Sequence, residues 1–183
     1  LLPLFRCLAC YSHYLSCFLL IIYETSPREV VRIPIIATLC HIIRDERLLL
    51  QKKSKGLFGG DKWNGVGGKL KGNETPEECV KREIFEEANL RVSNLRFHGV
   101  INFYFGDRKE LDWTVYIFST RTFEGEPKPS EEGVLRWFPF EDIPYGEMWQ
   151  DDRHWLPLLL KGERFQGNFY FDEEGNELLD FSL

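Results

Sequence analysis

The most informative stretch of this chain is 68–90, which reads GKLKGNETPEECVKREIFEEANL. Thr75 is a typical helix N-cap, Pro76 suits the first helical position, and Glu78 completes a capping box. The spacing therefore predicts a helix over residues 76–88.

Three acidic residues of this helix, Glu83, Glu86 and Glu87, stand at i, i+3 and i+4 and share one face. Like charges at that spacing repel each other unless a cation lies among them. Hard oxygen ligands at this density suit Mg²⁺ or Mn²⁺, which bridge carboxylates to phosphates. The alternative is a solvated acidic helix, which is common in a chain of net charge −6. Arg82, placed to pair with Glu86 or Glu74, and the glycine-rich loop before the helix favour the metal site.

This spacing resembles the Nudix box, G-x5-E-x7-R-E-U-x-E-E-x-G-U, where U is aliphatic. Every position matches except the second glycine, which is Asn89 here. Asparagine is the next best residue for the left-handed conformation that ends a helix. The resemblance implies that Arg82 and Glu74 form a supporting ion pair. It also implies a Mg²⁺ cofactor, with Mn²⁺ as the alternative, held by ligands that include Gly67, Glu83, Glu86 and Glu87.

The resemblance further implies hydrolysis of a nucleoside diphosphate linked to another group. Bound metals neutralise the phosphate oxygens and activate a water for in-line attack on phosphorus. A further acidic group outside the helix completes the metal shell or acts as the base. Glu132, in the loop 130–133, is our candidate for this catalytic role, and the alternative is an ordinary exposed glutamate.

Strands are expected at 31–43, 48–53, 63–69, 91–105, 113–122 and 135–140, with a terminal hairpin at 165–171 and 177–181. A second helix is expected at about 151–161. Mixed strands with helices on opposite sides of a sheet make an α/β/α sandwich of the α+β class. This is also the Nudix architecture, and the resemblance covers residues 30–183.

The first 29 residues differ in composition, being rich in Leu, Cys, Tyr and Phe. Their apolar run at 15–23 is too short for a confident membrane span, and no small-residue cleavage site stands out. We favour an extension that precedes the true start near residue 30. A targeting or membrane segment and an arm packed on the domain are the alternatives. We therefore assign 1–29 as an extension and 30–183 as the Nudix domain, and we expect no stable membrane association.

The net charge of −6 argues against electrostatic binding to the phosphate backbone of a nucleic acid. A small phosphorylated substrate fits, because metals supply the missing positive charge. The cysteines number five, an odd count without paired metal spacing. A reducing, cytoplasmic location is the default, and the expected partner is a small-molecule nucleotide bound by a monomer or dimer.

Segments outside the box narrow the choice of substrate class. Residues 63–69 and 148–160, with the ending 167–171 and 179–183, resemble the oxidised-purine nucleoside triphosphatase branch of Nudix. The resemblance implies that Asn64, Asp151 and Asp152 read the purine edge while Trp149 stacks on its face. Further substrate contacts are implied for Thr38, Lys53, Phe58, Gly67 and Gly68.

Two adjacent carboxylates in a dry pocket cannot both ionise cheaply, so one of Asp151 and Asp152 should keep its proton. Moving that proton swaps a donor for an acceptor, which suits both 8-oxo-guanine and 2-hydroxy-adenine. The alternatives are that the pair only caps the second helix and that Trp149 is core packing. Gly133 departs from the methionine of the resembling family, which predicts extra room on one side of the base.

These features favour a Mg²⁺-dependent pyrophosphohydrolase that converts oxidised purine nucleoside triphosphates to the monophosphate and pyrophosphate and so cleanses the nucleotide pool. A Nudix enzyme for ordinary NTPs or ADP-ribose is the second hypothesis. A non-catalytic, nucleotide-sensing Nudix domain is the third, although such a domain is expected to lose box carboxylates that this chain keeps.

Overall fold

The fold is given by a computed structural model that describes residues 33–56, 59–106 and 110–183. The extension predicted at 1–29 and the substrate contact predicted for Phe58 lie outside the described residues. Within the described part of the chain, no helix combines the length and the apolar character that crossing a membrane requires.

The described residues form ten strands, and eight of these strands make one sheet. They are β1 (Ile35–Arg44), β2 (Arg47–Lys53), β3 (Trp63–Asn64), β4 (Arg91–Ser93), β5 (Arg96–Phe105), β6 (Trp113–Thr120), β7 (Thr122–Glu124), β8 (Gly133–Pro139), β9 (Phe165–Phe171) and β10 (Leu178–Ser182). The large sheet runs β10-β9-β5-β6-β1-β2-β3, and β8 also pairs with β2. It is mixed, because β1–β6 and β5–β9 are parallel while its other pairs are antiparallel.

The first helix, α1, spans Pro76–Ala88, as the local sequence predicts. The Thr75 hydroxyl accepts from the Glu78 N–H while the Glu78 carboxylate accepts from the Thr75 N–H, so the capping box is confirmed. Asn89 ends the helix in the left-handed conformation with φ of 57°. The departure from the box glycine therefore keeps the geometry that glycine would supply.

The second helix, α2, spans Asp152–Leu160 and covers the opposite face of the sheet from α1. Successive residues of β1 show the two faces: Ile42 packs in the α1 cluster, and Ile43 packs in the α2 cluster. Alternation along the strand therefore builds a core on each side. The predicted α/β/α sandwich is confirmed.

One strand prediction is wrong. The segment 91–105 is two strands, because Asn94 adopts a left-handed φ of 50° that breaks the extended chain. β4 then leaves the main sheet and pairs with β7 in a separate two-stranded sheet. The expected extended segment 63–69 is shorter than predicted, because only Trp63–Asn64 forms a strand and isolated bridges at Val66 and Lys69 continue it.

Candidate active site

A lysine joins two of the predicted catalytic acids. The Lys53 ammonium, at the end of β2, lies 3.2 Å from Glu87 on α1 and 2.8 Å from Glu132 before β8. Burial raises the pKa of Glu87 to about 7, against the opposing charge of Lys53. The hydrogen bond from Lys53 holds the pKa of Glu132 below its usual range. The fold thus brings Glu132 to the box helix from about 45 residues along the chain.

An arginine organises the other box acids. Arg82 makes a two-pronged contact with Glu74, with Nη2–Oε1 and Nε–Oε2 distances of 2.5 and 2.9 Å. It also contacts Glu83 and lies 3.2 Å from Glu86. This Glu74 contact, above all, holds the pKa of Glu74 down at about 2. Arg82 therefore contacts both Glu74 and Glu86, the two partners that the sequence analysis considered.

The three helix acids lie within α1 at the predicted spacing but differ in burial. Glu83 and Glu87 are buried, whereas the Glu86 side chain is 49% exposed. The reason is that α1 lies on the sheet with its i and i+4 positions inward, so the i+3 position turns toward solvent. Among the described residues, no three acidic, histidine or cysteine side chains converge on one ion-sized point.

The glycine loop before α1 lies directly against these acids. A Cβ on Gly68 would be 2.5 Å from the Glu83 carboxyl carbon, and one on Gly67 would strike the Thr38 carbonyl. Only glycine lets the backbone approach so closely. The donors available here are carboxylate and backbone oxygens, the ligand type that Mg²⁺ and Mn²⁺ take in proteins, so the residues fit a divalent ion in their chemistry.

A cavity of about 310 Å³ opens beside this cluster. Its walls include nine of the predicted site residues: Thr38, Lys53, Asn64, Gly67, Gly68, Glu132, Trp149, Asp151 and Asp152. The box residues Arg82, Glu83, Glu86 and Glu87 are not among its walls. They connect to it through Lys53 and Gly68, so the acidic cluster adjoins one side of the cavity.

The buried end of the cavity holds the two aspartates. Asp151 and Asp152 are 2% and 1% exposed. Asp151 Oδ2 accepts from the Trp155 indole N–H at 2.8 Å, and Asp152 Oδ2 accepts from the Trp149 N–H at 3.0 Å. Burial raises the pKa of Asp151 to about 6. Burial and the charge of Asp151 together raise the pKa of Asp152 well above its usual value.

The helix-cap alternative for this pair fails for Asp151. It occupies the N-cap position of α2, but its side chain makes no capping hydrogen bond. Its Oδ1 atom is buried and has no hydrogen-bond partner among the described residues. A buried carboxylate oxygen without a partner is an unsatisfied hydrogen-bond acceptor.

Asn64, Trp149 and Thr38 also line the cavity, and each makes a defined contact. Asn64 directs its Oδ1 to the Gly65 N–H at 2.8 Å, which fixes the amide. The indole of Trp149 contacts Phe171 edge-on, and the Lys62 ammonium lies 5.2 Å above its ring. Thr38 donates to the buried Cys79 thiol at 3.3 Å.

Several wall residues were missed by sequence reasoning. They are Phe103 and Phe105 on β5, Trp113 on β6, Trp155 on α2 and Lys69 in the glycine loop. A usable signal was present for two sets: Phe103 and Phe105 alternate along a strand, and Trp155 stands four residues after Asp151. For Trp113, whose ring lies 5.0 Å from the Lys69 ammonium, we find no such signal.

The extra room predicted beside Gly133 does not exist. A Cβ at this position would strike the Lys52 carbonyl and lie 3.3 Å from Gln51 Cγ. Gly133 is also absent from the walls of the cavity. The glycine is present because β2 and β8 approach closely here, and this approach takes up the space that a larger side chain would fill.

A helix with a capped acidic box, a glycine loop and an adjoining cavity on a mixed sheet define a Nudix-type hydrolase fold. The NUDIX domain family model matches residues 34–159, and the chain belongs to this family. It is 41% identical over 146 residues to the oxidized purine nucleoside triphosphate hydrolase of Mus musculus, covering 80% of this chain and 92% of the mouse protein. It is 42% identical over 142 residues to the Danio rerio protein of the same name, covering 78% and 88% of the two chains. The Mutator MutT protein structure from Bacillus halodurans has a TM-score of 0.72 and 27% identity, covering 81% of this chain and 96% of that one.

Proposed function

We propose that this protein hydrolyses oxidised purine nucleoside triphosphates, such as 8-oxo-dGTP and 2-hydroxy-dATP, to the monophosphate and pyrophosphate. Its role would be to clear damaged precursors from the nucleotide pool. The single observation that carries the proposal is the buried pair Asp151 and Asp152, which lines the same cavity as Asn64 and Trp149. The names of the mouse and zebrafish relatives support the same substrate class.

The base-reading step rests on the protonation of the two aspartates. Burial raises the pKa of both groups, and the charge of Asp151 further raises that of Asp152, so the pair favours a state in which one carboxyl holds a proton. A protonated carboxyl donates while an ionised one accepts, so the pair can match a base edge that presents either pattern. Trp149 would stack on the base face, which adds about 1–3 kcal/mol with little base preference.

The triphosphate would lie toward the box helix. Lys53 and the Gly67–Gly68 backbone would contact it, and Glu83, Glu87 and Glu132 would hold the metal, with Glu86 joining from the solvent side. We take Mg²⁺ as the ion, with Mn²⁺ as the alternative. When bound, the metal would neutralise phosphate charge and lower the pKa of the attacking water. Arg82 would hold Glu83 and Glu86 in place through its contact with Glu74.

The test is a pyrophosphate-release assay with Mg²⁺ and low micromolar 8-oxo-dGTP, 2-hydroxy-dATP, dGTP, dATP or ADP-ribose. Pyrophosphate is released only from triphosphates, so ADP-ribose is followed by release of AMP. The proposal predicts strong preference for one or both oxidised nucleotides. Turnover of ADP-ribose alone, or of all triphosphates equally, would contradict it.

A further inference from the structure

A buried glutamine on β2 lies beside the box helix. Gln51 is 0% exposed, and neither its Oε1 nor its Nε2 atom has a well-formed hydrogen bond among the described residues. A buried amide without partners is costly, so its presence in a strand core calls for a reason. The reaction as outlined above makes no use of it.

The direction of the Gln51 side chain follows from the strand. Leu49, Gln51 and Lys53 alternate along β2 and therefore point to the same face of the sheet. Leu49 packs in the apolar cluster that contains Ile84 of α1, and Lys53 lies 3.2 Å from Glu87. Gln51 stands between these two contacts, opposite the last turns of α1.

The Glu87 carboxyl adjoins Gln51 on this face of the sheet. Burial raises the pKa of this carboxyl, and the adjacent Gln51 amide acts in the opposite direction, as does Lys53. Within the sheet, Gln51 is paired with Leu135 of β8.

We propose that Gln51 is a positioning residue, whose amide N–H would donate to the Glu87 carboxylate when this acid binds the metal and would hold it in the binding orientation. Partners of this kind fix the direction of a ligand's lone pairs and raise metal affinity. The inference rests on the proposed role of Glu87 as a metal ligand. It assigns no contact between Gln51 and the nucleotide.

The experiment measures Mn²⁺ binding by electron paramagnetic resonance or calorimetry on the full chain without nucleotide. Gln51→Met keeps the length of the side chain and removes the amide. We expect its Mn²⁺ dissociation constant to rise about 10–100-fold, with the kcat recovered at saturating metal. Leu49→Met, on the same face of the same strand, is the matched control and is expected to bind Mn²⁺ like the wild type.

An affinity of Gln51→Met within twofold of the wild type would overturn the inference and leave Gln51 as packing alone. If this variant fails to fold, Gln51→Ala is measured in the same way against the same threshold. Glu87→Gln, measured beside them, separates the two levels of the proposal. If Glu87→Gln binds Mn²⁺ as the wild type does, the assignment of Glu87 as a metal ligand is wrong. If Glu87→Gln loses affinity while the Gln51 variant does not, only the role of Gln51 is wrong.

Discussion

The Trp155 indole N–H donates to Asp151 Oδ2 at 2.8 Å, and the other oxygen of the same carboxylate has no hydrogen-bond partner among the described residues. One oxygen is therefore fixed by the protein and the other is left for a ligand. This one-sided arrangement is what a base-reading carboxyl requires, because its direction is set before the base arrives.

Asp151→Asn tests this base-reading role. The amide keeps the size of the side chain but can no longer exchange a proton with Asp152. We expect kcat/KM for 8-oxo-dGTP and 2-hydroxy-dATP to fall on the order of 100-fold, the loss of about one charged hydrogen bond, with Mn²⁺ affinity unchanged. Asp142→Asn, an exposed control, is expected to behave as the wild type. An equal loss on every nucleotide would show that Asp151 does not read the base.

The same substitution has an expected effect on stability. Burial raises the pKa of Asp151 from 3.8 to about 6, so the folded protein holds this proton more tightly than the unfolded chain does. The stability that the neutral form contributes is present below pH 3.8 and is lost as the pH rises through about 6. Asp151→Asn removes that loss, and we expect it to be more stable than the wild type near neutral pH by up to about 3 kcal/mol.

Urea unfolding near pH 4 and near pH 7.5 measures this difference. The gain from Asp151→Asn is expected at the higher pH and should shrink toward zero at the lower one. If the variant and the wild type differ in unfolding free energy by the same amount at both pH values, ionisation of Asp151 does not destabilise the folded protein.

Glu87→Gln tests the metal assignment through turnover. Loss of one carboxylate ligand is expected to lower kcat at least about 100-fold, which corresponds to about 3 kcal/mol of transition-state stabilisation. The circular dichroism spectrum should stay that of a folded protein. Glu77→Gln, an exposed change in the first turn of α1, is the control for altered helix charge. Retained activity in Glu87→Gln would rule out this acid as a ligand.

The helix end at Asn89 gives a prediction that is independent of function. Its φ of 57° is left-handed, a conformation that costs residues with a Cβ about 1–2 kcal/mol. Asn89→Ala is therefore expected to lower the free energy of unfolding by about 1 kcal/mol. Asn89→Gly should equal or exceed the wild type. Thermal denaturation of the pair decides this, and an alanine variant as stable as the glycine variant would refute the reasoning.

Features encoded by neighbouring residues were predictable from the sequence. The capping box of Thr75 and Glu78, the Asn89 helix end and the β9–β10 hairpin each depend on contacts a few residues apart, and each is found where the sequence placed it. Contacts between neighbouring residues depend on the local sequence and not on how the chain packs. The local sequence is therefore sufficient to predict them.

Features that depend on packing were harder to predict. Glu83, Glu86 and Glu87 have the spacing of one helix face, yet only the placement of α1 on the sheet decides that Glu86 is the exposed member. The contact of Lys53 with both Glu87 and Glu132 depends on the pairing of β2 with β8. No spacing along the chain encodes that register. The close approach of the Lys52 carbonyl to Gly133 also depends on this pairing, so the sequence did not predict it either.

Selection of oxidised purines by this site can be measured in a competition experiment. Equal concentrations of 8-oxo-dGTP and dGTP are supplied together with Mg²⁺, and the two monophosphates are separated by chromatography at low conversion. Their ratio is the ratio of the two kcat/KM values. We expect an excess of 8-oxo-dGMP of at least about tenfold, which corresponds to a difference of about 1.4 kcal/mol between the two substrates in transition-state stabilisation. Equal amounts of the two products, or an excess of dGMP, would contradict it.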